Sequence, residues 1–274
     1  MKKLRIAVLV SGGGTNLQAM IDRSLAGTLD AEIAVVLSDR PEAGGLERAR
    51  KHNIPAYCVD YKSISASAML DSEVLPELEE LDSRQKILKN SDYVQRLARL
   101  NGLVLAEKEL IRIIESYGVD YVCLAGFMRL VTPYFIGHFN GGRKAESGGG
   151  EAAAWRILNI HPALLPSFPG RHGYEDTLGY GCKWGGITVH FVDEGEDTGP
   201  IVAQAVYPIW PEDTVDSIRG RGLQLEYEVY SQVLNWLAHD KVEIRGLPDG
   251  GSRVAVSDPR YRDILNAWIG NAFL

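Results

Sequence analysis

The run Leu4-Arg5-Ile6-Ala7-Val8-Leu9-Val10 leads straight into Ser11-Gly12-Gly13-Gly14-Thr15-Asn16, and this junction constrains the chain more than any other stretch. A short apolar run that stops at glycines reads as a buried strand. Thr15–Leu25 then places Leu17, Met20, Ile21 and Leu25 near helical spacing and predicts a helix. Ile33–Leu37 predicts a second strand, Gly44–His52 a second helix and Pro55–Val59 a third strand. Such alternation implies a parallel sheet covered by helices and joined by right-handed crossovers. Backbone amides at the start of the first helix, together with its dipole, favour an anion. Gly13 and Gly14 would let a phosphate approach the backbone, and Thr15 and Asn16 add side-chain donors. The pattern is neither GxGxxG nor a P-loop with its Lys, so a terminal monophosphate fits better than a dinucleotide or ATP. A plain tight turn with a helix cap is the other reading.

Residues 62–105 combine a Ser-rich stretch with an acidic one and read as helical with an exposed insertion. Glu107–Tyr117 predicts a helix and Val119–Leu124 a strand. Gly141–Gly150 holds almost nothing that can pack and reads as a flexible surface loop. Trp155–Ile160 predicts a strand ending at His161-Pro162. Gly186–Val192 and Ile201–Val206 predict an antiparallel pair, because the acidic turn between them is short. A long helix over Thr214–Leu237, a hairpin over Val242–Val256 and a short helix over Tyr261–Ile269 complete the chain.

At 274 residues the chain is near the upper limit for one hydrophobic core, so one domain with insertions and two small domains are both open. Its 29 Lys+Arg against 36 Asp+Glu give a net charge of −7, which argues against a nucleic-acid partner. The first apolar run is shorter than a secretory h-region, and no stretch of about 18 apolar residues could span a membrane. Cys58, Cys123 and Cys182 lie far apart without a CxxC pair, which fits a reducing cytoplasm. His52, His138, His172, His190 and His239 show no metal-ligand spacing, and no metal is expected. Of these, His190 draws interest because its strand leads into the acidic turn.

Side chains alternate along a strand, so Asn159 and His161 point the same way. Ligands of parallel sheets bind beyond the carboxyl ends of strands, which puts this amide and imidazole in a cleft. They suit the stabilisation of an oxyanion in a carbonyl addition. A structural His bonded to a loop carbonyl is the bland alternative. In the acidic turn, Asp197 precedes Thr198-Gly199-Pro200, and a carboxylate fixed opposite His161 would raise the imidazole pKa. A solvated charged turn is the other reading.

Five ordered blocks carry a resemblance: IAVLVSGGGTNLQAMID from Ile6, GLERAR from Gly45, LAGFMRLVTPY from Leu124, ILNIHPALLPSFPG from Ile157 and GITVHFVDEGEDTGPIVAQA from Gly186. With these the chain resembles the glycinamide ribonucleotide formyltransferases, folate-dependent enzymes of purine biosynthesis. The resemblance implies an α/β fold with a Rossmann-like, mostly parallel sheet, helices on both faces and an antiparallel C-terminal extension. It implies one formyltransferase domain over residues 1–274, insertions near 62–100 and 140–154, and an extra C-terminal segment over 257–274. It implies transfer of a formyl group from 10-formyltetrahydrofolate, a co-substrate, to the amine of 5′-phosphoribosylglycinamide. Catalytic roles fall on Asn159, His161 and Asp197. Ribonucleotide binding falls on Gly13, Gly14, Thr15, Asn16 and Glu226. Folate binding falls on Met128, Arg129, Leu130 and Val131, with Ile157 and Val192 as apolar neighbours. A basic residue that contacts folate in compact members has no counterpart near Asn101-Gly102-Leu103. Small-molecule substrates, no membrane, a monomer or homodimer and a cytoplasmic location are expected. A deformylase and a non-catalytic nucleotide-binding module remain the alternatives. The stretch after the long helix is too short for the RNA-binding domain of methionyl-tRNA formyltransferase, and the first strand begins too early for a deformylase's leading regulatory domain.

Overall fold

The protein is described by a computed structural model over residues 3–68, 70, 75–89, 92–141, 155–246, 251–271 and 273. Strand β1 (Leu4–Val10) is buried from Ile6 to Val10, so both of its faces are covered. On one face Ile6, Val8 and Val10 share a core with residues of α1 (Thr15–Leu25), α2 (Gly44–Lys51) and α8 (Val215–Ala238). On the other, Ala7 and Leu9 share a core with α5 (Tyr93–Ser116) and α6 (Pro133–Asn140). A strand buried on both faces is the signature of a parallel sheet sandwiched by helices.

The seven-stranded sheet has the order β3-β2-β1-β4-β5-β6-β7. It comprises β3 (Ala56–Cys58), β2 (Ala31–Ser38), β1, β4 (Tyr121–Leu124), β5 (Ile157–His161), β6 (Trp184–Phe191) and β7 (Ile201–Pro208). The first five are parallel, while β6 and β7 run antiparallel to their neighbours. This is the expected α/β architecture with its antiparallel extension. Strands β8 (Val242–Gly246) and β9 (Ser252–Val256) form a separate antiparallel pair. The chain leaves β1 toward β2 and β3 and returns on the other side as β4. Strand order thus reverses between β1 and β4, which is where open α/β sheets bind ligands. There the Ser11 amide donates to the Gly126 carbonyl at 3.0 Å.

The helix expected to start at Glu107 begins at Tyr93 instead. Its first half is apolar on one side, and Leu97, Leu100 and Val104 enclose a small separate core with Leu78 and Leu81 of α4 (Leu75–Arg84). The insertion is thus anchored by a core of its own. Helix α3 (Tyr61–Ser67) lies so close to α5 that a Cβ at Gly102 would come within 2.6 Å of Ser65 Oγ. Two short helices were not expected. Helix α6 is capped by the Thr132 side chain and has Pro at its start, and α7 (Gly173–Gly179) follows the His-Pro loop. Strand β5 extends to His161, which pairs with Thr188 across the ladder. Helix α9 (Tyr261–Asn271) packs Trp268 and Tyr261 against Trp236. The glycine-rich loop after Gly141 and the hairpin tip over 247–250 lie outside the described residues. Among the described residues no helix is long and apolar enough to cross a membrane.

Candidate active site

Strand β5 presents Asn159 and His161 on one side, and both reach Asp197 in the turn between β6 and β7. Asn159 Nδ2 lies 3.3 Å from Asp197 Oδ1, and His161 Nδ1 lies 3.3 Å from Asp197 Oδ2. Asp197 also accepts from the Gly170 amide at 2.8 Å. Its backbone is left-handed, with φ 55°, and so is that of Phe168, also at φ 55°. Each such conformation costs roughly 1–3 kcal/mol for a residue other than glycine. Here each aims an acceptor at His161, because the Phe168 carbonyl is 2.8 Å from His161 Nε2. A carbonyl only accepts, so Nε2 carries a proton.

His161 is buried, and burial pushes its pKa below the usual value, with Asp197 pushing the other way. The sequence suggested a raised pKa from Asp197 alone; the loss of solvent around the ring outweighs that attraction. Asp197 stays below the ordinary carboxylate range: burial raises it, but hydrogen bonding to His190 and the Gly170 amide, with the nearby imidazoles, outweighs that. His161 is therefore held neutral, with Nε2–H fixed and Nδ1 open toward a carboxylate. Nε2 is committed to the Phe168 carbonyl, whereas Asn159 Nδ2 makes only long contacts, 3.3 Å to Asp197 Oδ1 and to His190 Nε2.

His190 is the neighbour that sequence reasoning underweighted. It pairs with Asn159 across the β5–β6 ladder. Its Nδ1 donates to the Phe191 carbonyl at 2.8 Å, and its Nε2 lies between Asn159 Nδ2 at 3.3 Å and Asp197 Oδ1 at 3.5 Å. The signal was available: an antiparallel partner strand running into Asp197 must pass beside Asn159.

Asn159, His161 and Asp197 open onto a cavity of about 240 Å³ that Met128, Arg129, Leu130, Val131 and Val192 also line. Ile157 is not on its wall. It is fully buried, and its carbonyl accepts from the Val192 amide at 2.9 Å, so it supports the wall from beneath. Arg129 reaches the cavity, yet its Nε is bound to buried Asp39 at 2.6 Å and its guanidinium lies over the Tyr61 ring. Asp39 in turn accepts from Ser11 Oγ at 2.5 Å, and Ser11 Oγ accepts from the Met128 amide at 2.9 Å. This network stitches the end of β1 to the cavity segment.

Beyond Ser11 the glycine loop opens α1, whose N-terminus has no side-chain cap. A Cβ on Gly12 or Gly13 would meet nothing within 4 Å. Gly14 differs: at φ 70° it packs on α2, and a Cβ there would strike Gly45 Cα at 2.7 Å. Its glycine is required by the helix contact, whatever binds outside. Asn16 Nδ2 donates to Glu226 Oε2 at 2.7 Å, and Tyr174 OH donates to Glu226 Oε1 at 2.6 Å. Burial raises the Glu226 pKa. Asn16 Oδ1 is buried without a partner, an acceptor that a ligand N–H or O–H could satisfy. Tyr174 carried no sequence signal, since its link to Glu226 depends on how α7 packs on α8. Among the described residues no group of three His, Cys, Asp or Glu side chains could hold a metal ion.

Residues 4–144 and 150–234 match the formyl transferase family. The chain belongs to that family. It is similar to a phosphoribosylglycinamide formyltransferase of Haemophilus influenzae, 34% identical over 245 residues that cover 89% of this chain and 91% of that protein. It is 33% identical over 240 residues to a trifunctional purine biosynthetic protein adenosine-3 of Drosophila melanogaster, covering 87% of this chain and 14% of that protein. A solved glycinamide ribonucleotide transformylase 1 from Symbiobacterium toebii superimposes with a TM-score of 0.67 at 34% identity, over 93% of this chain and 95% of that one. In this formyl transferase the His-Pro block on β5 and the acidic turn between β6 and β7 face each other.

Proposed function

We propose that this formyl transferase moves the formyl group of 10-formyltetrahydrofolate to the amino group of 5′-phosphoribosylglycinamide, giving formylglycinamide ribonucleotide in purine biosynthesis. The observation that carries the reading is the convergence of Asn159, His161 and Asp197 at a cavity with an apolar side formed by Leu124, Phe127, Leu130 and Val131, with an uncapped glycine loop stitched to the same cavity through Ser11. The folate pterin and its aromatic ring fit the apolar slot. The substrate phosphate fits the loop amides and the positive end of the α1 dipole. Asn16 and Glu226 hold the ribonucleotide beside it.

When the amine attacks the formyl carbon, negative charge develops on the formyl oxygen and the amine becomes cationic. Asn159 Nδ2 makes only long contacts of 3.3 Å and exchanges them for that oxyanion. His161 Nδ1 takes the proton shed by the amine, which completes an N–H···O bond to Asp197. The same proton then passes to the leaving N10. Asp197 acts by stabilising the imidazolium, and His190 holds Asn159 and Asp197 in register. The three free cysteines support a reducing cytoplasm, and the protein works there as a monomer or homodimer.

Calorimetry with 5′-phosphoribosylglycinamide and with its dephosphorylated riboside tests the reading. A phosphate preference of 10-fold or more, about 1.4 kcal/mol, supports the transferase. Equal affinity for both would point to a deformylase, which has no ribonucleotide to hold.

A further inference from the structure

The cavity bearing Asn159, His161 and Asp197 is closed on one side by the insertion: Lys86, Ile87 and Lys89 line the same space. Packing puts them there. Leu88 is packed against the small core of α4 and α5, so the turn that buries it leaves Lys86 and Lys89 exposed and Ile87 half-buried at the cavity. Gln85 fixes this turn. Its Oε1 accepts from the amides of Ile87 at 2.9 Å and Leu88 at 2.7 Å. Its Nε2 donates to Asp82 Oδ1 at 3.0 Å, and Asp82 is held by Arg96 at 2.8 Å. Arg84, at the end of α4, pairs with Glu194 in the turn that carries Asp197. The insertion is thus tied to the catalytic turn as well as to its own core.

Charge then decides what this wall can take. Arg129 is neutralised by Asp39 and Glu194 by Arg84, while Asp193 is held within its own turn by the Gly195 amide and the Thr198 hydroxyl; Glu196 and Arg171, which donates to the Met128 carbonyl, are further charges on the wall. Lys86 and Lys89 form no ion pair among the described residues. Two ammonium groups without acidic partners, flanking an apolar side chain at a cavity edge, make a subsite for a carboxylate attached to an aromatic ring. We propose that Lys86 and Lys89 bind the glutamate-tail carboxylates of the folate co-substrate, with Ile87 against the ring that carries the tail. This rests on the reading of the cavity as the folate slot. The pterin and the ring are uncharged, so the tail carboxylates are the anions this co-substrate offers. A longer glutamate chain brings more of them to the same wall.

The test is the double variant Lys86→Gln/Lys89→Gln of the full chain, compared with wild type on three co-substrates: 10-formyltetrahydrofolate with one glutamate, with three, and the pteroate form with none. Exposed ion pairs are individually weak, so the expected rise in folate KM is about 10-fold for the triglutamate, smaller for the monoglutamate and absent for the pteroate. The kcat should stay within about twofold, since neither lysine touches the reacting atoms, and added salt should erase the wild-type preference for the triglutamate. An unchanged KM on all three, or an equal rise on all three, overturns the subsite, the second result marking the turn as merely structural. Equilibrium binding of the three product tetrahydro forms, which needs no turnover, separates this from the reaction itself. Glutamate-dependent binding without formyl transfer would overturn the reaction and leave the subsite standing. Glutamate-independent binding, or none, would overturn the subsite.

Discussion

Asp197 Oδ2 faces His161 Nδ1 at 3.3 Å while the Phe168 carbonyl, 2.8 Å away, holds the other ring nitrogen. An imidazole between two acceptors has one proton fixed and one vacancy, and burial keeps that vacancy open by lowering the ring's pKa. Activity needs the vacancy, so kcat/KM should rise with pH through a value below the ordinary 6.5 and then level. Asp197 is the neighbour that favours the imidazolium. Asp197→Asn should therefore shift this acid limb to lower pH, besides reducing kcat by roughly 10²–10⁴. A pH–rate profile of both proteins checks the direction. A limb that moved to higher pH would contradict the arrangement.

The glycine loop separates binding from folding. Gly14→Ala places a Cβ 2.7 Å from Gly45 Cα in a left-handed conformation and should cost about 1–3 kcal/mol of stability. A Cβ at Gly13 meets no atom of the protein within 4 Å, so Gly13→Ala should leave Tm nearly unchanged. Its side chain would occupy the space of the substrate phosphate, so the ribonucleotide KM should rise 10-fold or more while the folate KM stays. Thermal melts together with both KM values test the contrast.

Tyr174→Phe removes a 2.6 Å donor to buried Glu226. A buried carboxylate that loses a donor costs about 1–3 kcal/mol, and its pKa moves further up. The ribonucleotide KM should increase about 10-fold, with the increase larger at low pH, where Glu226 protonates first. The folate KM should not change. An effect on both substrates alike would mean that Tyr174 acts on the fold as a whole.

Glu107 supplies a stability prediction remote from the chemistry. It is fully buried on α5, and burial raises its pKa to about 7 despite bonds from the Thr132 amide at 2.7 Å and the Thr132 hydroxyl. A carboxyl raised in the folded state stabilises below its unfolded value, and that contribution is lost as pH rises through about 7. Between pH 5.5 and 8 the protein should lose about 2 kcal/mol through this group. Glu107→Gln should flatten that dependence in urea melts at the two pH values. A steeper loss in the variant would exclude the assignment.

Much of the parallel sheet was legible because β1 and β2 carry the apolar runs Ile6–Val10 and Ile33–Leu37, each followed by serine, and because α1 and α8 keep an apolar face at helical spacing. Asn159 and His161 were legible as a pair because strand alternation puts them on one face, while their meeting with Asp197 needs β6 to pair antiparallel with β5 and end in the turn that carries it. What stayed hidden depends on distant packing. Helix α5 is long because Leu97 and Leu100 find partners in α4, which local pattern does not reveal. Tyr174 reaches Glu226 from 52 residues away. Lys86 and Lys89 sit in a stretch that reads as a solvated insertion until Leu88 is seen to be packed inward. The role of Gly14 was half-read, since its need for glycine comes from Gly45 on another helix.

The most direct measurement follows the formyl carbon itself. Purified protein is given formyl-labelled 10-formyltetrahydrofolate with 5′-phosphoribosylglycinamide, and the label is located by mass spectrometry in wild type, His161→Ala and Asp197→Asn. The label should appear in the ribonucleotide amide in step with tetrahydrofolate release, only when the ribonucleotide is present, and at rates lower by roughly 10²–10⁴ in both variants. Label recovered as formate at the same rate without the ribonucleotide, or variants that turn over like wild type, would contradict the assignment of this site to formyl transfer.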